Sequence, residues 1–183
     1  MIMSDKIPEY SNIDEFPPYA FVPGYYPHPK KDPAGHSYNK PEPKPEKFNP
    51  GKWQESQFYL YGVDLFNRGY YWEAHETWEA LWRQVEKDEP VELLLHGLIK
   101  LAAAGVKVRQ TNPRGVKSHA RGTKHIFGKL RKKLTSDSFC GFSIQSLEEF
   151  AEEIEANAGE FQAEATTSVE RVFERMLLLK FER

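Results

Sequence analysis

The stretch Gly69-Tyr-Tyr-Trp-Glu-Ala-His-Glu-Thr-Trp-Glu-Ala-Leu-Trp-Arg83 carries three of the chain's four tryptophans and sets His75 and Glu79 four residues apart. Its pattern is helical, and at 3.6 residues per turn His75 and Glu79 stand one above the other on the same face. With His75 as reference and 100° per residue, Tyr71, Trp78, Trp82 and Val85 fall within about 80° on one side, and Glu79, Trp72 and Arg83 fall on the other. The His/Glu pair therefore borders an aromatic, packed face and a charged one. A polar pair so placed either serves a site or ties two helices together.

Working outward, the spacing predicts a first helix over about 52–67, closed by Asn67-Arg68-Gly69 with Gly69 in the left-handed cap position. The helix of the opening stretch runs over about 70–86 and ends in the turn Lys87-Asp88-Glu89-Pro90. A third, over about 91–110, is apolar nearly all round, which marks it as central. Its small residues Gly97, Ala102 to Ala104 and Gly105 let neighbours approach closely. Thr111-Asn112-Pro113 starts a fourth helix, about 113–134, and Thr135 to Ser143 reads as a loop. Ser146 with Glu149 makes a capping box for a fifth, with Leu147, Phe150, Ile154 and Phe161 on one stripe. The pattern of Val172 to Lys180 fits helix and strand equally. The expected fold is an all-α bundle of about five helices over 51–183.

Residues 1–50 differ in texture. They hold 11 of the 13 prolines, which forbids helix, together with eight aromatics, which disordered linkers usually lack. We read Phe16 to Tyr26 as an extended arm whose rings lie on the helical body or on a second copy, making a homo-oligomer one expectation. Lys40 to Lys47 reads as a solvated polyproline spacer.

Charge and cysteine usage narrow the function classes. Of 183 residues 28% are charged, with a net charge of −2, so bulk charge points to neither nucleic acid nor membrane. The opening Met1 to Lys6 has no apolar leader stretch, and Leu93 to Val106 is too short and too interrupted by His96 and Lys100 to span a bilayer. With one cysteine, Cys140, which reads as a small buried hydrophobe, a cytoplasmic location is expected. Charge is nonetheless segregated: 11 Lys/Arg and no acid lie between Leu93 and Ser136, then nine glutamates and one arginine between Glu148 and Glu174. Antiparallel packing of the fourth and fifth helices would neutralise both. Binding of a phosphate backbone by the basic helix is the disfavoured reading, because that helix lacks interleaved aromatics.

The residues from Phe66 onward resemble the domain-of-unknown-function 309 family of bacteria and archaea. That family is marked by His-x-x-x-Glu-x-x-Trp/Tyr, matched by His75, Glu79 and Trp82. Phe66-Asn67-x-Gly69-x-Tyr71-x-Glu73-Ala74-His75-Glu76, Gly97-Leu98-Ile99-x-Leu101 to Ala104 and Asn112-Pro113-Arg114-Gly115 follow in family order, so the similarity covers roughly 58–134. The resemblance implies a small helical bundle of unassigned activity, with metal binding by the His/Glu motif as a suggestion attached to it. His96 stands where the family commonly has glutamine.

The residues themselves allow three functions. In the first, His75 and Glu79 hold a divalent ion (zinc, iron or manganese suits mixed imidazole and carboxylate donors), with further ligands from Glu76, Glu92, His96, His119 or water. Position 79 is Glu, so the zinc-protease motif His-Glu-x-x-His is not made. Glu76, Trp72, Trp82 and His96 are the framing candidates. In the second, the same His/Glu/Trp cluster is architectural and the chain is an interaction module. The third is the nucleic-acid reading. No phosphate loop, dinucleotide glycine pattern or Ser/His/Asp signature is present, and whether the protein is an enzyme is left open.

Overall fold

The computed structural model describes residues 6–41, 44–87 and 89–181. The first five residues, Glu42 and Pro43 of the spacer, and Asp88 of the turn lie outside them. Among the described residues the fold is all-α: a 3-10 helix (Pro50–Glu55), then α1 (Gln57–Arg68), α2 (Tyr71–Trp82), α3 (Pro90–Arg109), α4 (Pro113–Lys133) and α5 (Ile144–Ala156). A two-residue antiparallel ladder, β1 (Ser138–Phe139) with β2 (Phe142–Ser143), precedes α5.

Local chemistry sets most boundaries. Gly69 ends α1 at φ 93°, where its N–H returns to the carbonyls of Leu65 and Phe66. Pro90 and Pro113 open α3 and α4, where their missing N–H costs nothing. The side chain of Asn112 caps α4 by accepting from Gly115 N–H at 2.9 Å.

α3 is the central element, packed against α2 and α4, with α1 on the far side of α2 and α5 on the far side of α4. Its glycines permit this. A Cβ at Gly97 would collide with the Phe127 ring of α4, and one at Gly105 would collide with Tyr71 of α2. Trp78 is fully buried, and its indole N–H donates to Tyr59 O at 3.2 Å.

Five expectations are corrected. The first helix starts at Gln57, because residues 50–55 form the separate 3-10 turn, in which Lys52 departs from helical angles. α2 stops at Trp82, four residues early. The fifth helix is capped by Ser143, whose side chain accepts from Ser146 N–H, so the Ser146/Glu149 box does not form; Ser146 Oγ instead accepts from Arg175 at 2.8 Å. Phe161 lies beyond α5 and meets Phe173 edge-on at 5.3 Å. Residues 172–180 are neither helix nor strand.

The arm lies along its own helical body. Phe16 packs on Tyr61 and Tyr70 with centroids 5.8 and 5.7 Å apart, Phe21 meets Trp72 at 5.0 Å, and Ala20 and Val22 are buried. The C-terminal segment covers the neighbouring surface, driving Phe173 between Phe66, Tyr71 and Phe150. Buried polar side chains of the helices grip the main chain of both segments. Asp64 accepts from the N–H groups of Tyr10 (2.9 Å) and Ser11 (2.8 Å). Asn67 both donates to Leu177 O and accepts from Leu177 N–H, each at 2.8 Å. Arg109, 1% exposed, donates to the carbonyls of Glu164, Ala165 and Thr167.

Candidate metal centre on the second helix

α2 presents His75, Glu76 and Glu79 at positions i, i+1 and i+4, and one ligand atom from each lies within 4.8 Å of the other two. All three are half-buried. Two donors on one ion at about 2.1 Å each are at most about 4.2 Å apart, so a side-chain adjustment of under about 1 Å would close the group.

The His75 tautomer follows from its partner. Nδ1 lies 3.3 Å from the carbonyl oxygen of Ile99 on α3, and a carbonyl only accepts. In the neutral ring Nδ1 therefore carries the proton, and Nε2 keeps its lone pair for a ligand role. Such an outer hydrogen bond is the usual device that fixes a metal-binding imidazole.

Both carboxylates already have cationic neighbours. Arg83 reaches Glu79 at 2.9 Å and Lys30 of the arm reaches Glu76 at 3.2 Å. These pairs offset the repulsion of two acids one turn apart and are exposed enough to rearrange.

The other framing candidates lie elsewhere. Trp72 faces the arm, edge-on to Phe21 and to His28, at 5.0 and 5.5 Å. Trp82 and His96 gather around Glu92 of α3: the indole donates to Glu92 Oε1 at 2.7 Å, and His96 Nδ1 is 3.7 Å from the same oxygen. Burial holds the His96 imidazole below its ordinary range, against the pull of Glu92. His119 on α4 is also lowered, first by burial and then by Lys100, Lys107 and His75, and its buried Nδ1 has no hydrogen-bond partner among the described residues. Cys140 is buried, and burial pushes its thiol up to about 12, so it is no nucleophile at neutral pH.

One pair was not foreseen in the sequence. His36 of the arm, 9% exposed, stands 3.6 Å from Glu73 of α2, 7% exposed. The two are 37 positions apart with a proline-rich path between them, so no spacing announces the pair.

The fold and this donor group define an all-α bundle with a His/Glu cluster on one helix. A family model described as Domain of unknown function (DUF309) matches residues 59–119, from α1 into the start of α4, and His75, Glu79 and Trp82 all lie inside it. The match supports the resemblance to the DUF309 family, whose description assigns no activity. Comparison with curated proteins and with solved structures finds no match. No helix among the described residues is long and apolar enough to cross a membrane.

Proposed function

We propose that the protein binds one divalent transition-metal ion through His75, Glu76 and Glu79, in a cytoplasmic setting. The observation that carries this reading is the convergence of three donor atoms within 4.8 Å on one helix face. It is supported by the Ile99 carbonyl, which leaves His75 Nε2 as the donor nitrogen. One imidazole and two carboxylates suit zinc, iron or manganese. When bound, such an ion supplies Lewis-acid activation of a water or carbonyl oxygen. The chain's part is to orient His75 through α3 and to release Glu76 and Glu79 from Lys30 and Arg83.

The test is metal analysis of anaerobically purified protein, with thermal shifts on adding zinc, iron or manganese. About one ion per chain and an upward shift are expected, both lost in a His75→Ala variant that still folds. Absence of metal and of any shift would reject the reading.

A second reading is an interaction module in which the cluster only fastens α2 to α3 and to the arm. It is favoured by the fact that His75, Glu76 and Glu79 each have a protein partner already. Here the arm, with Tyr25 52% and Tyr38 38% exposed, would be the surface that joins two copies. Light scattering of the full chain beside a Tyr25→Ser/Tyr38→Ser variant separates the two: this reading requires a dimer that the variant loses, and no metal.

A further inference from the structure

The arm does not seal fully against the bundle. Between residues 29–41 and the outer faces of α1 and α2 lies a cavity of about 530 Å³, within the range of small-ligand sites. Phe58, Tyr61 and Trp72 form its aromatic wall on the helices, Glu73 lies beside them, and His36 and Lys30 come from the arm.

Glu73 is the unusual member. Its side chain is 7% exposed, it sits in the first turn of α2, and Oε1 accepts from Phe21 N–H at 2.9 Å. Yet Glu73 Oε2 has no hydrogen-bond partner among the described residues, and neither does His36 Nε2, 3.6 Å from Oε1. On the other side of the His36 ring, Nδ1 lies 2.8 Å from Ser37 Oγ. A buried carboxylate oxygen left unpaired is costly, and a donor entering the cavity would remove that cost. Glu76, the other acid of the lining, is paired to Lys30 at 3.2 Å, and Lys40 also lines the cavity, which leaves Glu73 Oε2 as the acid oxygen without a partner. Its field is felt nearby: burial first, and then the charge of Glu73, push the Tyr61 phenol up to about 12.

We propose that this cavity binds a protonated organic amine, its ammonium group taken by Glu73 and its apolar body laid against Phe58, Tyr61 and Trp72. An ammonium group supplies three donors to a carboxylate that lacks them, and electron-rich rings attract a cation where an anion would be repelled. Glu76 belongs to both groups, but the amine site uses neither His75 nor Glu79 and does not depend on the metal reading.

The experiment is calorimetric titration of the full chain, followed also by tryptophan fluorescence, with 2-phenylethylamine as probe. Phenylacetate and 2-phenylethanol are the anionic and neutral controls. Saturable binding of one amine per chain is expected, with both controls weaker by about tenfold or more, as loss of a charge-assisted contact implies. Glu73→Gln should reduce amine affinity by a similar factor, and His75→Ala should leave it unchanged. If Glu73→Gln fails to fold, Ala80→Trp, which fills the cavity from the α2 wall, must abolish binding. Absence of amine binding, equal binding of either control, or undiminished affinity in a folded Glu73→Gln or Ala80→Trp variant would overturn the proposal.

Discussion

Where α4 meets α5, the contact is edged by ion pairs at the surface: Arg121 to Glu155 (2.8 Å), Lys124 to Glu152 (2.6 Å) and Arg131 to Glu148 (2.8 Å). Residue numbers rise along one helix as they fall along the other, so the pairs also record the antiparallel register. Where the arm and the C-terminal segment meet α1, α2 and α3, buried side chains of the helices also bind main-chain groups of these segments. An irregular segment has no ladder for its own N–H and C=O groups, so Asp64, Asn67, Glu73 and Arg109 supply their partners. The first seam rests on apolar packing with charges added in water. The second is held by polar groups that water cannot replace.

That contrast is broken or sharpened by substitution. Arg109→Ala should cost the most, about 3–5 kcal/mol in urea unfolding, since it leaves a large void and strands three carbonyls. A loss of under about 1 kcal/mol would mean that the C-terminal segment is not gripped there. Asp64→Ala should cost about 2–3 kcal/mol and expose the arm to protease well before the bundle, because two N–H groups and the Ser11 hydroxyl lose their acceptor. Uniform cleavage of arm and bundle would count against a local role.

The third expectation concerns pH. Since the His119 imidazole is held below its ordinary range, the unfolded chain takes up the proton first as pH falls through about 6.5. The stabilising effect of keeping it neutral is present above that value and is lost as pH falls through the lower folded one. His119→Leu should therefore flatten the acid limb of stability, and urea midpoints at pH 7.5, 6 and 5 would show it; parallel curves would refute the assignment. The smallest effect belongs to the exposed seam, where Arg121→Ala should change stability by less than about 1 kcal/mol.

The same division explains what could be read from the sequence. Helices α1 to α4 follow apolar periodicity and proline or glycine punctuation, so α3, expected over about 91–110, is found at Pro90–Arg109. His75 and Glu79 were visible because spacing along one helix is local information. Ser143 was missed as a cap because the β1/β2 turn, which local pattern does not reveal, hands the chain to α5 three residues before Ser146. The extended stretch 172–180 was undecidable because its partners are distant: Val172 N–H donates to Tyr71 Oη, Leu179 N–H to Tyr10 Oη, and Lys180 N–H to Gly141 O. His36 and Glu73 were unreadable for the same reason.

The placement of those gripping residues bears on how the chain can be cut. Asp64, Asn67, Glu73 and Arg109 all lie inside the span 59–119, while the main-chain groups they hold belong to residues 10–21 and 164–177. A fragment trimmed to that span would keep its helices' sequence and shed the cladding that dries α1 and α2. Its melting should broaden and lose cooperativity, so truncation series on this protein will report how stability is shared across the whole chain rather than where one module stops.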